Sequence, residues 1–358
     1  MAKQKIFIHV MGARPNFVKA VPIIKYLNNK NIIYKILHIG QHYDYGLSEQ
    51  FFKEFSLPKP FINLNIGSLN HGAQTGRMIE GIEEVLLKHK CNFVVVYGDT
   101  NSTLAGAIAA SKLNIPIAHI EAGLRTPSKT SPEEKNRRIC DHLAAINFCP
   151  TRSAYKNLLK EGIKKNVNIF SGDVMYDAVL NQELNINFKL PKNFILATIH
   201  RQENTDNLIV LEKIFNNLLE INKNYPVVIP MHPRTKNKIS KIEIFKDIMQ
   251  SLVVMETQSY KNLLSMISKA DLIISDSGGV PKEAAFLGKK SIVIRDYIIW
   301  DELLEQKWSI LITEKEIDKI SKVYMQHVNR KILKKVSGFG TGMAAKTIAD
   351  HLVKFNEN

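Results

Sequence analysis

Three carboxylate positions and a histidine stand where a proton could be moved. Asp99 ends the run Tyr97-Gly98-Asp99, Glu121 follows Pro116-Ile117-Ala118-His119-Ile120, and the pair Glu133-Glu134 comes soon after. His200 follows the run Asn193–Thr198 almost directly. Taking a proton from one face of a carbon and returning one to the other needs two or more acid/base groups near a single atom. Histidine titrates near neutrality and suits either that work or contact with a phosphate. Each residue also has a plainer role open to it. A carboxylate can cap a helix or pair with an arginine, and Asp99, just before Thr100, is placed as a cap. Arg201 and Glu203, beside His200, can simply pair.

A second set suits anion binding. Ser275-Asp276-Ser277-Gly278-Gly279-Val280-Pro281-Lys282-Glu283 follows an apolar run and opens a helix. Glycines let backbone N–H groups approach an anion, and a helix start favours negative charge. Pro281 suits a first helical turn. The segment is read as the seat of a diphosphate, with Glu283 placed to accept hydrogen bonds from ribose hydroxyls; its plainer role is a glycine-rich strand-to-helix turn with a serine cap. Gly12-Ala13-Arg14-Pro15-Asn16-Phe17-Val18-Lys19 sits at a similar junction, where Arg14 and Lys19 add positive charge. It is not a GxGxxG dinucleotide fingerprint. His232-Pro233-Arg234 and Arg295 complete the binding set, with Arg234 expected to reach a phosphate or the base. The histidines lack HxxxH spacing, so no metal is expected; no cofactor is expected either.

Strand and helix must alternate to carry these residues. Apolar runs at Ile6–Val10, Ile32–Ile39, Asn92–Tyr97 and Pro116–Ile120 predict strands; Pro15–Leu27, 48–55, Thr75–Leu87 and Thr100–Leu113 predict helices. The rhythm restarts with strands at Asn193–Thr198, Pro226–Met231, Leu252–Met255, Leu272–Ser275 and Ser291–Arg295, and a helix near Asn207–Asn222. Such βαβ repetition means an α/β fold with parallel sheets. We expect two Rossmann-like domains, 1–172 and 173–342, facing a cleft, with a C-terminal helix in 343–358 packing back on the first. In open parallel sheets ligands bind beyond the carboxyl ends of the strands, where the residues above fall.

The 358 residues suit two domains of roughly 150–200 residues each. The formal charge of +15 comes from dispersed lysines such as Lys156, Lys160, Lys289 and Lys334, with no interleaved aromatics. That predicts a solvated surface and some steering of an anionic substrate, with neither nucleic acid nor membrane as partner. Three cysteines without CxxC spacing argue against a disulfide framework and a zinc site. No signal sequence or spanning run is recognised, so the expected compartment is the cytoplasm.

In this order the motifs resemble those of the non-hydrolysing UDP-N-acetylglucosamine 2-epimerases, over nearly the whole chain. The resemblance rests on Gly-Ala-Arg-Pro with Lys19, Gly40-Gln41-His42-Tyr43, Tyr97–Thr100, Ile120–Arg125, Pro132–Arg137, His200–Asn204, His232–Arg234 and Ser275–Glu283. It implies a GT-B-like fold with UDP in the cleft, a homodimer, and a two-step reaction. UDP leaves C1 as the C2 proton is removed, giving a 2-acetamidoglucal; UDP then adds back, with a proton delivered to the other face of C2. Asp99, Glu121, Glu133 and His200 take the catalytic positions. Arg14, Lys19, His232, Ser277, Gly278, Gly279 and Glu283 take nucleotide-binding ones. Some relatives have a second, activating UDP-sugar site near Gln41, His42 and Gln74.

Two departures bear on the sugar. Many relatives have Gln-Glu where this chain has Pro281-Lys282, and a Thr-Glu-Arg-Pro loop where it has Tyr297-Ile298-Ile299-Trp300-Asp301-Glu302. A Lys before the ribose-binding Glu and a Trp in that loop resemble the UDP-2,3-diacetamido-2,3-dideoxyglucuronate 2-epimerase branch, as do Ser68–Met78 and Asp141-His142. Ile298-Ile299 replace that branch's Thr-Glu. The substrate is expected to be a UDP-2-acetamido sugar, plain or modified, serving surface-polysaccharide precursors. The alternatives are a hydrolysing 2-epimerase, a GT-B glycosyltransferase, a non-catalytic UDP-sugar sensor and a basic nucleic-acid binder. The opening motif argues against the first, and retention of all four acid/base positions against the non-catalytic readings.

Overall fold

The computed structural model describes residues 6–40, 52–67, 69–128, 130–329 and 335–355. Two compact units emerge, one of Met1–Leu180 with Gly338–Asn358 and one of Asn181–Ser337.

Among the described residues the first unit holds seven strands: β1 Ile6–Met11, β2 Ile33–His38, β3 Ile62–Asn63, β4 Phe93–Tyr97, β5 Ile117–Ile120, β6 Ile146–Cys149 and β7 Asn168–Phe170. They lie in the order β3-β2-β1-β4-β5-β6-β7, every pairing parallel. Parallel strands need crossover helices, which cover both faces, so the central strands are buried on both sides. The residues of β4 are accordingly no more than 1% exposed. Helix Asn101–Lys112 lies so close to the sheet that a Cβ on Gly106 would sit 3.0 Å from Val96 and 3.2 Å from Val10.

The second unit repeats the plan with β8 Ile195–Thr198, β9 Val227–Pro230, β10 Val253–Met255, β11 Leu272–Ser275, β12 Lys290–Ile294 and β13 Ser309–Ile312. Its order is β10-β9-β8-β11-β12-β13, again wholly parallel. In each unit the strand order reverses beside the first strand, between β1 and β4 and between β8 and β11. That is the topological switch point where the flanking loops part and leave a crevice.

The chain crosses out of the first unit and returns to it at a backbone contact. Gly172 and Gly340, at φ +81° and +84°, lie so close that a Cβ on Gly340 would stand 2.8 Å from the Gly172 Cα. Helix Val174–Leu180 packs against helices Arg14–Asn29 and Ala344–Lys354. The Asp177 carboxylate accepts from Ala344 N and Ala345 N at 3.1 and 2.9 Å, which anchors the start of the last helix.

Four short strands, β3, β6, β7 and β13, are not expected from the sequence. Each has two to four residues. In β6 the apolar run is interrupted by Asn147, which is fully buried and donates to Asp141 O and Asn168 Oδ1 at 3.0 and 3.2 Å. Of the helix expected over 48–55, residues 48–51 lie outside the described residues, and 52–54 are helical.

Candidate active site

At the crevice of the first unit, Asn16 stitches the two edges together. Its Oδ1 accepts from Gly12 N and Ala13 N at 3.2 and 2.9 Å, and its Nδ2 donates to Tyr97 O at the end of β4 at 2.8 Å. These two N–H groups therefore already serve the turn itself. Arg14 is half-buried at the start of its helix. Lys19, one turn further, points its ammonium at Glu121, with Nζ 2.5 Å from Oε1 and both side chains nearly buried. Burial works against the Lys19 charge, but Glu121, Asp99 and the hydrogen bond outweigh it and raise its pKa. The ammonium passes where Gly98, at φ +65°, has no side chain; a Cβ there would stand 2.7 Å from Nζ. Glu121 itself adopts φ +70°. That left-handed conformation is costly for a side-chain-bearing residue. It is held by Phe148 O, which accepts from both Glu121 N and Ala122 N at 3.1 and 3.0 Å.

Asp99 is not a helix cap. Thr100 caps the helix, its hydroxyl accepting from Thr103 N, and the Asp99 carboxylate pairs with Arg137. From there a closed circuit of alternating charge runs back to its start. Arg137 lies 3.4 Å from Glu134, Glu134 2.9 Å from Arg138, and Arg138 2.7 Å from Glu161. Glu161 meets Arg125 at 2.6 Å, Arg125 meets Asp141 at 2.7 Å, and Asp141 meets His119 at 2.8 Å. His119 Nε2 then reaches Gly98 O at 2.7 Å, next to Asp99. Both ring nitrogens of this fully buried histidine lie within hydrogen-bond distance of an oxygen, Nδ1 of Asp141 and Nε2 of Gly98. Burial raises the Asp141 pKa, but His119 and Arg125 more than reverse that and hold it low. Asp141 also accepts from Gly123 N at 3.2 Å. The circuit thus fixes the backbone at Gly98-Asp99 and just beyond Glu121 in one frame. It also separates the neighbouring glutamates. Glu134 is buried within it, while Glu133 is exposed in the first helical turn and accepts from Ser131 Oγ at 2.6 Å.

In the second unit the stitching residue is Asp276. Fully buried, it accepts from His200 N at 3.0 Å, Arg201 N at 2.9 Å and Asn204 Nδ2 at 3.1 Å, tying the end of β8 to that of β11. Its Oδ1 is also 3.5 Å from Nδ1 of the half-exposed His200. Ser275 bonds Thr198 at 2.6 Å and accepts from Ser277 N at 3.0 Å. Ser277 Oγ in turn accepts from Gly279 N and Val280 N at 3.3 and 3.4 Å. Over Gly278 two guanidinium groups converge. A Cβ there would lie 3.3 Å from Arg295 and 3.4 Å from Arg201. Burial, then the charge of Arg201, lowers the Arg295 pKa. Like charges gathered this way suit an anion as counter-ion. Glu283 is buried in the helix that follows.

Arg234 is engaged elsewhere, donating to both oxygens of Asp206 at 2.8 and 2.7 Å. His232 accepts from Arg234 N at 3.2 Å and so caps its own helix. Burial and the nearby His200 and Arg234 lower its pKa.

The chain matches the family described as UDP-N-acetylglucosamine 2-epimerase over residues 25–353. It belongs to that family. It is 44% identical over 334 residues to a UDP-N-acetylglucosamine 2-epimerase homolog of Methanococcus maripaludis, covering 88% of this chain and 91% of that one. It is 41% identical over 355 residues to the UDP-2,3-diacetamido-2,3-dideoxy-D-glucuronate 2-epimerase of Pseudomonas aeruginosa, covering 96% and 98%. Among solved structures it superposes on the Methanocaldococcus jannaschii UDP-GlcNAc 2-epimerase, in complex with UDP-GlcNAc and UDP, with a TM-score of 0.88 at 38% identity over 98% and 99% of the two chains. Family members are isomerases, and this chain is an enzyme of that class with the expected two parallel-sheet α/β domains.

Within the first unit the structure draws Lys19, Glu121, Gly98 and Asp99 together at one crevice and leaves Glu133 on the first turn of a neighbouring helix. Within the second it gathers His200, Ser277, Gly278, Gly279 and Arg295. Gln41 and His42 lie outside the described residues. Gln74 is buried, donating to Gly67 O at 3.2 Å and accepting from Asn101 at 2.9 Å. Sequence reasoning did not place Arg201 beside Gly278 and Arg295, and treated Asp276 only as part of a motif. Its place between a strand end and Ser277 was the available signal, because a carboxylate there can take the amides of the adjacent strand's loop.

Proposed function

We propose that this enzyme inverts C2 of a UDP-linked 2-acetamido sugar without net hydrolysis, and that Asp99, Glu121, Glu133 and His200 supply its acid/base groups. One observation carries this reading: at the switch-point crevice of the first unit Glu121 stands on strained backbone and pairs with Lys19, and Asp99 directly follows Gly98, over which that ammonium passes. Strain that the surroundings hold in place is typical of residues positioned for chemistry. In the reaction, a base takes the C2 proton as the C1–O bond to the diphosphate breaks, and C1=C2 forms as a 2-acetamidoglucal. The diphosphate oxygen then re-forms its bond to C1, while an acid delivers a proton to the opposite face of C2.

The C2 hydrogen is weakly acidic, so the departing diphosphate must be stabilised. Ser277, Gly278, Gly279 and Arg295, with Arg201, form the diphosphate seat, and Glu283 takes the ribose hydroxyls. Arg14 and Lys19, from the helix after β1, and His232, from the loop after β9, support the nucleotide-sugar. Arg234 belongs to this set only after release from Asp206. Between the two sugar classes we favour the 2,3-diacetamido uronate. The near-full-length likeness to the Pseudomonas aeruginosa enzyme and the contact between Lys282 and Trp300 support it. The proposal includes a cytoplasmic homodimer making a surface-polysaccharide precursor.

Proton NMR in D2O tests it, with UDP-N-acetylglucosamine and UDP-2,3-diacetamido-glucuronate offered separately. Deuterium should enter C2 as a manno-configured UDP-sugar appears, faster from the uronate. Free UDP with released sugar would make the enzyme a hydrolysing one. Absence of C2 exchange from either substrate would overturn the reading.

A further inference from the structure

The two departures noted in the sequence, Lys282 and Trp300, form one contact. Lys282 Nζ lies 3.7 Å from the Trp300 ring centroid, and both residues are buried, at 2% and 4% exposure. An ammonium over an indole face is attracted by the ring's quadrupole, more strongly when desolvated. The indole edge is fixed as well, since Trp300 Nε1 donates to Gly278 O at 3.0 Å. That carbonyl belongs to the Gly278–Gly279 peptide. A trans peptide is planar, so fixing its C=O fixes its N–H on the opposite side. The N–H in question is that of Gly279, which meets Ser277 Oγ at 3.3 Å. Neither glycine has a side chain to hold this plane, and glycine backbone is otherwise permissive.

We propose that Lys282 and Trp300 are positioning residues that brace the Gly278–Gly279 peptide for the substrate's diphosphate. Lys282 holds the indole by its face, and the indole holds the peptide by its carbonyl. The inference rests on the reading of Ser277–Gly279 as the diphosphate seat. It extends that reading to two residues that act through the loop and do not touch the ligand.

The test compares UDP with uridine, which has the nucleoside but no phosphate. Dissociation constants come from calorimetry for UDP and NMR titration for uridine, on the full-length enzyme and on Trp300→Phe and Lys282→Met. Phe keeps a ring face but has no N–H; Met keeps the length of Lys but has no charge. Loss of one hydrogen bond's ordering effect corresponds to about a 3- to 10-fold rise in the UDP constant. Uridine binding should be unchanged. Equal weakening of both ligands in the variants would reduce the pair to a general packing role, and unchanged UDP binding would remove any role. If Trp300→Phe fails to fold, Lys282→Met and one spectroscopic test still decide. In a Trp308→Phe background Trp300 is the remaining tryptophan, and its emission should change on adding UDP but not uridine. An identical response to both ligands refutes the brace. Failure of the unmodified enzyme to bind UDP would instead sink the diphosphate seat itself.

Discussion

Replacing Lys19 with Met should destabilise the first unit strongly, and by an amount that depends on pH in a defined direction. Lys19 and Glu121 are nearly buried and 2.5 Å apart. Removing one partner of such a pair leaves a desolvated charge and costs about 3–5 kcal/mol. For a unit of about 200 residues, a urea m-value near 3 kcal/mol/M turns that into a midpoint about 1–1.7 M lower at pH 7. In the variant, Glu121 should take up a proton to escape its burial, so its folded pKa rises above the unfolded value of about 4.3. The loss then shrinks as pH falls towards 4. In the unmodified enzyme the sign follows from Lys19, whose folded pKa is raised. Its contribution is complete below the unfolded value of about 10.4 and is lost as pH rises through the folded one. The double variant Lys19→Met with Glu121→Gln removes both charges and should recover most of the stability. Urea unfolding followed by circular dichroism measures all three proteins. A single variant within about 0.3 M of the parent at pH 7, or a double variant no better than the single, would refute the reasoning.

Asp99→Asn, Glu121→Gln and His200→Ala should each abolish turnover in the deuterium-exchange assay while UDP affinity stays within a small factor; normal turnover removes the residue concerned from the acid/base set. Gly98→Ala should push the Lys19 ammonium off Glu121 and strain a backbone at φ +65°, lowering kcat at least tenfold; an unchanged rate would show that the crevice can absorb a methyl group. Arg295→Met should weaken UDP by roughly 10-fold, the effect of losing one charge-assisted contact, and flatten the salt dependence of binding; equal affinity at low and high salt in both proteins counts against a charged seat. Asp141→Asn should lower the urea midpoint at pH 7. Because the folded pKa of Asp141 is depressed, that loss should narrow as pH falls below the unfolded value of about 3.9, and a gap constant from pH 7 to pH 3 contradicts the assignment.

The strand ends were legible because β4, β8 and β11 are continuous apolar runs that stop at a polar residue. The positions of Asp99, His200 and Ser277 followed from that. What those residues touch was not legible, since partners come from distant crossovers. Glu121 lies 102 residues from Lys19, and Arg137 lies 38 from Asp99. Asp99 was open to two plain roles in the sequence, and only the fold could give the cap to Thr100 and the arginine to Asp99. The weakest signal belonged to β7, Asn168–Phe170, whose three residues form a strand mainly because β6 offers a free edge beside them. Short edge segments take their structure from a neighbour more than from their own pattern.

The glycine contact at Gly172 and Gly340 bears on how the protein is made. Residues 338–355, which complete the first unit, leave the ribosome after the whole of 181–337. The first unit's sheet can assemble early, yet the amides that Asp177 accepts from and the helix that covers Arg14–Asn29 arrive last. Until then its buried face on that side stays open, a state that invites aggregation or chaperone capture during synthesis. The second unit, continuous in sequence, has no such wait.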